Sequence, residues 1–183
     1  EGKQKSPRLV DLIQDQDRAG WRSLTDWVSP AGEVILEEEQ TIQFHALDKS
    51  LSYVIDFDWG LRAPNGAVKI GRHDYGGLAV RMPFDPRHTH LNSNGEQNKA
   101  TANKKASWCD VSRPFGNQMY GMAVFDHPSN SGHPATWRVD DQGLINPSPS
   151  LQGDWTIEAG RTRRFHYRIL VHEGERDARF FDN

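Results

Sequence analysis

The side chains best suited to chemistry in this chain are concentrated in one short segment, YGMAVFDHPSNSGHPATWRV, from Tyr120 to Val139. An apolar run, Tyr120–Phe125, is predicted to be a strand, and a proline-bounded loop follows it before a second strand-like run, Thr136–Val139. Polar groups at strand ends can be held by a rigid scaffold while the loop stays accessible. The segment is therefore a candidate site, and its acid, imidazole, amide and guanidinium groups are Asp126, His127, Asn130, His133 and Arg138.

The same residue types also suit a tight polar corner. In that interpretation Asp126 caps backbone amides and His127 donates to a carbonyl. The sequence leaves site and corner open as alternatives.

Two further histidine groups lie outside this segment. His73 precedes Gly76-Gly77, where the backbone can take positive φ or let a ligand approach closely, although a tight turn explains the same glycines. His88 and His90 would share one face of an extended chain, a spacing that metal sites use. No third ligand is identifiable, so exposed loop histidines are favoured and no metal ligand or cofactor is assigned.

Two arginines lie inside short apolar runs, Arg81 in LAVRM and Arg138 in TWRV. Each must reach solvent or an acid, because an unpaired buried charge is costly. A cluster of such charges beside tryptophan suits a sugar, since aromatic planes pack on its CH groups while polar side chains bind its hydroxyls. The predicted catalytic residues are Asp126, His127 and His133, and the predicted substrate-binding residues are His73, Arg81, Asn92, Asp110, Asn130, Trp137 and Arg138.

Composition excludes several classes of function. A net charge of −3 without a Lys/Arg cluster argues against nucleic acid, and no run approaches a membrane span of roughly 20 apolar residues. Gly-rich phosphate loops, GxSxG, HExxH and paired CxxC motifs are absent from the sequence. Cys109 is the only cysteine, which precludes an internal disulfide, and a small buried hydrophobe is favoured over a nucleophile.

The elements that must position these residues are strands. Period-2 alternation over Glu33–Leu47 and Leu51–Trp59 predicts two long strands that form an antiparallel hairpin through Ala46–Ser50. Pro83–Lys105 and Ile145–Pro149 are predicted to be loops, and the charged tail is left without structure. Further strands are predicted at Trp21–Val28, Ala67–Gly71, Gly77–Met82, Ser107–Val111, Gln118–Phe125, Thr136–Val139, Trp155–Glu158 and Thr162–His172. This pattern predicts an all-β antiparallel sandwich or barrel, with one domain over residues 1–175 and a tail over 176–183.

The chain resembles a bacterial family known as PmoA-like, or "methane oxygenase PmoA" domain. The resemblance rests on HDYGGLAVRMPF, ASWCDVS and YGMAVFDHPSNSGHPATWRV, which match its GG-x-x-x-R, W-x-D-x-S and F-D-H-P-x-N-x-x-H-P-x-x-W segments. It extends from about Arg8 to Glu175. The family name is not a guide to function, because the methane monooxygenase subunit is an integral membrane protein and this chain has no span.

The resemblance implies a β-sandwich related to galactose mutarotases and a role in carbohydrate processing, without defining a reaction. Family members usually carry an N-terminal half with a segment close to HHHG, which has no counterpart here. The chain thus resembles the C-terminal half to two-thirds of such a protein, an apparently truncated sandwich.

We therefore expect a sugar ligand and either a protein partner or a missing N-terminal half. The alternative is a non-catalytic accessory subunit of a larger, membrane-associated complex, and a metalloenzyme using His88 and His90 is the third alternative. The chain begins with Glu1 rather than Met, which is consistent with processing. A periplasmic location is favoured over a cytoplasmic one.

Overall fold

Long strands with one apolar face assemble into a nine-stranded antiparallel sheet in the computed structural model, which describes residues 2–45 and 53–182. The order of the sheet is β1-β3-β4-β5-β14-β10-β9-β8, and β2 pairs with β3. The strands are β1 (Lys3–Gln4), β2 (Arg8–Gln14), β3 (Arg18–Val28), β4 (Val34–His45), β5 (Tyr53–Arg62), β6 (Val68–Ile70), β7 (Val80–Arg81), β8 (Thr89–Asn92), β9 (Trp108–Phe115), β10 (Gln118–Asp126), β11 (Trp137–Val139), β12 (Leu144–Pro147), β13 (Trp155–Ile157) and β14 (Thr162–Glu173).

Two small sheets complete the architecture, β11-β12-β7 and β13-β6. Trp137 and Ile145 of the three-stranded sheet share one apolar core with Val111, Val124 and Phe165 of the large sheet. The predicted all-β antiparallel sandwich is confirmed. Cys109 is fully buried in this core, as predicted, and burial raises the pKa of its thiol.

The predicted pairing of the two longest strands is confirmed, because β4 pairs antiparallel with β5 in the register Ile42↔Phe57. The predicted connection at Ala46–Ser50 lies outside the described residues. Glu38 falls on the apolar face of β4 and is buried. Its carboxylate accepts hydrogen bonds from the indole Nε1 of Trp27 at 2.7 Å and of Trp59 at 2.8 Å, so its burial leaves no unmet acceptor there.

The apolar face of β2–β4 is covered less completely than that of the central strands. Leu12, Trp21, Ile42 and Phe57 are aligned in one cross-strand row. Exposure along this face reaches 61% for Leu9, 72% for Leu12, 36% for Trp21 and 37% for Phe44, against 9% for Phe57.

Three segments differ from expectation. The predicted loop Ile145–Pro149 contributes most of β12, whose backbone pairs on both sides with β11 and β7. The predicted loop Pro83–Lys105 contains β8 and a 3-10 turn, Asn98–Thr101, because β8 finds its partner in the distant β9.

The charged tail contains a one-turn helix, α1 (Ala178–Phe181), begun by the Asp177 side chain, which accepts from the Phe180 backbone N–H. Phe181 is 7% exposed because its ring packs 4.8 Å from that of Trp108. Within residues 2–45 and 53–182, no helix is long and apolar enough to cross a bilayer.

Candidate functional site

A cleft of about 720 Å³ opens beside the end of β10, on the face of the large sheet that points away from the core. One cross-strand row there, set by the pairing register, runs Gln43, Asp56, Arg168, Phe125 and Trp108. A second row places Asp58 opposite His166. Rows two residues apart along a strand are separated by about 7 Å, so groups from several strands lie within the span of one small molecule.

The loop after β10 forms one wall of the cleft. Asp126 is 5% exposed and accepts from Asn130 Nδ2 at 2.7 Å and from the Ala135 backbone N–H at 2.9 Å. Asn130 also joins the loop to β14, since its Nδ2 donates to the His166 carbonyl at 2.8 Å and its Oδ1 accepts from the His166 N–H at 2.8 Å. The predicted amide cap by Asp126 is therefore confirmed.

The loop also carries two histidines that line the cleft. His133 Nδ1 lies 2.7 Å from Asp126 Oδ2, and a carboxylate at Nδ1 places the neutral imidazole's proton on that nitrogen. Nε2 of His133 is then a proton acceptor.

His127 has the opposite tautomer. Its Nδ1 lies 2.7 Å from Ser129 Oγ and 3.1 Å from the Ser129 backbone nitrogen. Because a backbone N–H can only donate, Nδ1 is the acceptor and the proton of the neutral ring lies on Nε2. The predicted bond from His127 to a carbonyl is not formed, because Ser129 occupies Nδ1. The two loop histidines therefore differ in which ring nitrogen holds the proton.

A third histidine comes from the sheet. His166 Nδ1 hydrogen-bonds to Asp58 Oδ1, and its ring centroid lies 5.8 Å from that of His127. Like His133, it is backed by a carboxylate at Nδ1, which leaves Nε2 as its acceptor.

An ion pair occupies the first row. Arg168 Nε and Nη2 donate to the two oxygens of Asp56 at 2.7 and 2.9 Å, and His45 Nε2 lies 2.7 Å from Asp56 Oδ2. Burial alone raises the pKa of Asp56, but the hydrogen bonds from Arg168 and His45 outweigh burial and leave that pKa below its ordinary value. Asp56 is consequently ionised at neutral pH.

Phe125 and Trp108 form the apolar side of the cleft. Trp108 is only 2% exposed, because Phe181 packs on it and its Nε1 donates to Asp182 Oδ1 at 2.8 Å. Phe125 is therefore the more accessible aromatic surface for a ligand.

Of the residues predicted from sequence, the structure brings Asp126, His127, Asn130 and His133 together. Trp137 is instead fully buried in the core. The next residue, Arg138, points to the opposite face of the strand, where its guanidinium lies 5.3 Å from the Tyr75 ring centroid. His73 forms a local turn with Tyr75.

The other predicted ligand-binding residues also lie away from the cleft. Arg81 is paired with Asp140, 3.0 Å from Nη2 to Oδ2. Asn92 is buried and accepts from the backbone N–H groups of Asn94 and Glu96, which makes it a turn residue. Asp110 is buried in a separate network with His172, because its strand position faces α1 rather than the loop after β10.

The interpretation of His88 and His90 as exposed loop residues is wrong for His90, which is 4% exposed on β8. Burial, with a smaller contribution from the nearby His88, lowers the pKa of His90 to about 4. Among the described residues, no group of three His, Cys, Asp or Glu side chains is arranged to hold a metal ion.

Sequence reasoning missed Phe125 and the four ionisable residues that the central strands contribute to the cleft, Asp56, Asp58, His166 and Arg168. The signal of the four ionisable residues was a pair of polar residues at i and i+2 on the hydrophilic face of each of two long strands. That signal could not be used, since nothing in the sequence says that β5 and β14 are neighbours.

Fold and cleft together define an antiparallel β-sandwich protein with a cleft that is rich in histidines and carboxylates. The chain belongs to the family described as "Family of unknown function (DUF6807)", which matches residues 1–182. That description carries no methane oxygenase name, so the PmoA-like assignment stays a prediction.

No curated protein sequence matches the chain. Among solved structures, it is similar to the alpha-galactosidase from Lactobacillus brevis, with 13% sequence identity and a TM-score of 0.32. The similarity covers 93% of this chain and 26% of that enzyme, so this chain spans about a quarter of the enzyme's length.

Proposed function

We propose that this protein binds a sugar in the cleft and exchanges protons with it. The observation that carries the proposal is the meeting of three imidazoles of differing tautomer, His127, His133 and His166, beside the aromatic surface of Phe125. A pyranose presents an apolar CH face and a ring of hydroxyls, which suits a cleft with one aromatic side and one polar side.

The tautomers support a division of roles. His133 Nε2 accepts a proton from a sugar hydroxyl, and Asp126 orients that imidazole and stabilises the cation that forms. His127 Nε2–H donates to an oxygen of the same sugar.

For ring opening of an aldose, the hydroxyl proton at C1 passes to His133. The electrons of that O–H bond form the C1 carbonyl and the bond from C1 to the ring oxygen breaks. The ring oxygen accepts a hydrogen bond from His127 Nε2–H and takes a proton from solvent water. Ring closure on the other face returns both protons and exchanges the anomers.

The predicted substrate-binding arginines, Arg81 and Arg138, must be replaced by another arginine within this proposal. Arg81 and Arg138 do not line the cleft, whereas Arg168 does. Asp56 offsets the charge of Arg168 and binds its Nε and Nη2, so Arg168 takes this role as a hydrogen-bond donor to a sugar oxygen through Nη1.

Anomer exchange of free aldoses, followed by NMR, tests the proposal without knowledge of a second substrate. We expect wild-type protein to accelerate exchange and His133→Ala to lower the rate by about 10²–10⁴-fold, the usual contribution of a positioned base. His127→Ala should lower it as well.

His73→Ala is the matched control, because it also removes an imidazole but lies outside the cleft. Sugar binding without any exchange would limit the function to binding. Unchanged binding and exchange in both His127→Ala and His133→Ala would overturn the proposal.

The incompletely covered face of β2–β4 favours a second candidate function, that of a non-catalytic subunit in a larger assembly. Leu9 and Leu12 are exposed on an edge strand, and exposed apolar surface beside an unpaired strand edge is typical of a protein contact. Native mass spectrometry of the protein as isolated tests this candidate. A second polypeptide bound in fixed ratio supports it, and a lone 20.8 kDa species argues against it.

A further inference from the structure

The ionised groups that line the cleft are unequal in sign. Three carboxylates border it, from Asp56, Asp58 and Asp126. Arg168 is the one arginine or lysine on its wall within the described residues. With neutral imidazoles, the cleft therefore carries more negative than positive charge.

The single cation is already engaged by a carboxylate of the protein. Asp56 occupies the two donors of Arg168, Nε and Nη2, with which guanidinium groups commonly bind carboxylate or phosphate in a bidentate manner. An acidic ligand would have to displace Asp56 and then lie beside its uncompensated charge.

The remaining carboxylates also oppose an anion. Asp58 contacts His166 through Oδ1. Asp126 holds His133 at 2.7 Å, so both negative charges border the side of the cleft where proton exchange is proposed. Like charges at such separations repel by an amount that grows as water is excluded.

Uncharged hydroxyl groups are not repelled by these carboxylates and can form hydrogen bonds in the cleft. They can donate to Asp58 or to the acceptor nitrogens of His133 and His166, and they can accept from Nε2–H of His127. The cleft thus offers several donors and acceptors to hydroxyl groups, while its one described arginine is already paired with Asp56.

We infer that the cleft takes uncharged sugars and excludes uronic acids and sugar phosphates. The inference rests on the proposed sugar-binding function and adds charge as the basis of selectivity.

Isothermal titration of the whole chain with D-galactose and D-glucose, and then with D-galacturonate, D-glucuronate and galactose 1-phosphate, tests this selectivity. We expect each neutral sugar to bind about tenfold or more tightly than the acid of the same configuration. Asp58→Asn keeps an acceptor for His166 but removes one charge, and it should narrow that ratio by about threefold.

Asp141→Asn serves as the matched control, because Asp141 is an exposed turn residue that does not line the cleft. It should leave the ratio unchanged. Raising the salt concentration should narrow the ratio for wild-type protein, since screening weakens the repulsion.

Equal or tighter binding of the acids would overturn the selectivity while leaving sugar binding intact. Failure of every sugar to bind would overturn the proposed function and the selectivity with it. The inference would also be contradicted if Asp141→Asn changed the ratio of neutral-sugar to acid affinity as much as Asp58→Asn does. The repulsion would then not come from the carboxylates of the cleft.

Discussion

Two of the Asp–His pairs, Asp126–His133 and Asp110–His172, differ mainly in access. In the cleft, His133 is 2.7 Å from Asp126 and its side chain is 23% exposed. In the second pair, His172 Nε2 is 3.0 Å from Asp110 and its side chain is 0% exposed.

The second pair is closed by its neighbours. Phe181 of α1 covers His172 at 5.4 Å between ring centroids, and Ser112 donates to Asp110 at 2.8 Å. Gly121 leaves room for this packing, since a Cβ there would lie 2.3 Å from His172 Nε2. Identical residue types can therefore form an accessible pair on a cleft wall or a bond sealed in the interior, and solvent access distinguishes the two.

The largest expected effect comes from breaking the closed pair. Among the described residues, His172→Leu leaves the buried Asp110 carboxylate with Ser112 as its one side-chain partner, and we expect a loss of about 3–5 kcal/mol in unfolding free energy. Urea denaturation measures this loss, and sugar binding by the folded fraction should stay at the wild-type level.

The reciprocal change sharpens the contrast. His133→Leu should cost far less stability, because Asp126 keeps its bonds to Asn130 and Ala135. A greater destabilisation by His133→Leu than by His172→Leu would contradict the distinction between the two pairs.

A buried histidine, His90, extends the comparison, because its Nε2 finds no hydrogen-bond partner among residues 2–45 and 53–182. The folded-state pKa of His90, about 4, lies below its ordinary value of 6.5, so the unfolded chain binds more protons between these pH values. Stability is therefore fully present above pH 6.5 and falls as the pH drops toward 4. Linkage limits this contribution to about 3 kcal/mol.

His90→Leu should flatten the decline in unfolding free energy between pH 6.5 and 4, as measured by denaturation at several pH values. His73→Leu is the control, because His73 is exposed. Parallel pH profiles for wild type and His90→Leu would show that His90 is not the group responsible.

The smallest effect is expected where α1 supports the cleft. Asp182→Ala removes the carboxylate that accepts from Trp108 Nε1, a bond worth about 1 kcal/mol. The change should alter tryptophan fluorescence and weaken sugar affinity by at most about fivefold, the factor to which 1 kcal/mol corresponds. Asp182→Asn retains an acceptor and should restore both properties. Identical behaviour of the alanine and asparagine variants would show that the hydrogen bond from Trp108 to Asp182 does not support the cleft.

Much of the fold could be predicted because strand periodicity is local. The alternation in Glu33–Leu47 and Leu51–Trp59 led to two strands that do pair. By contrast, β12 was missed since its four residues, Leu144–Pro147, are all buried and show no alternation. Strand β8 was missed because its short polar sequence is stabilised by β9, which begins 16 residues after β8 ends.

The cleft residues show the same difference between local and distant sequence information. Asp126, Asn130 and His133 are close in sequence, so their types and spacing already indicate either a corner or a site, and the structure makes them a corner that borders the cleft. Asp58 and His166 are 108 residues apart, and Asp56 and Arg168 are 112 apart. Their convergence depends on the antiparallel register of β5 and β14, which arises when two apolar faces are buried together in the core. Local chemistry is therefore readable from neighbouring residues, whereas tertiary packing decides which distant charges complete the cleft and which Asp–His pair is sealed from solvent.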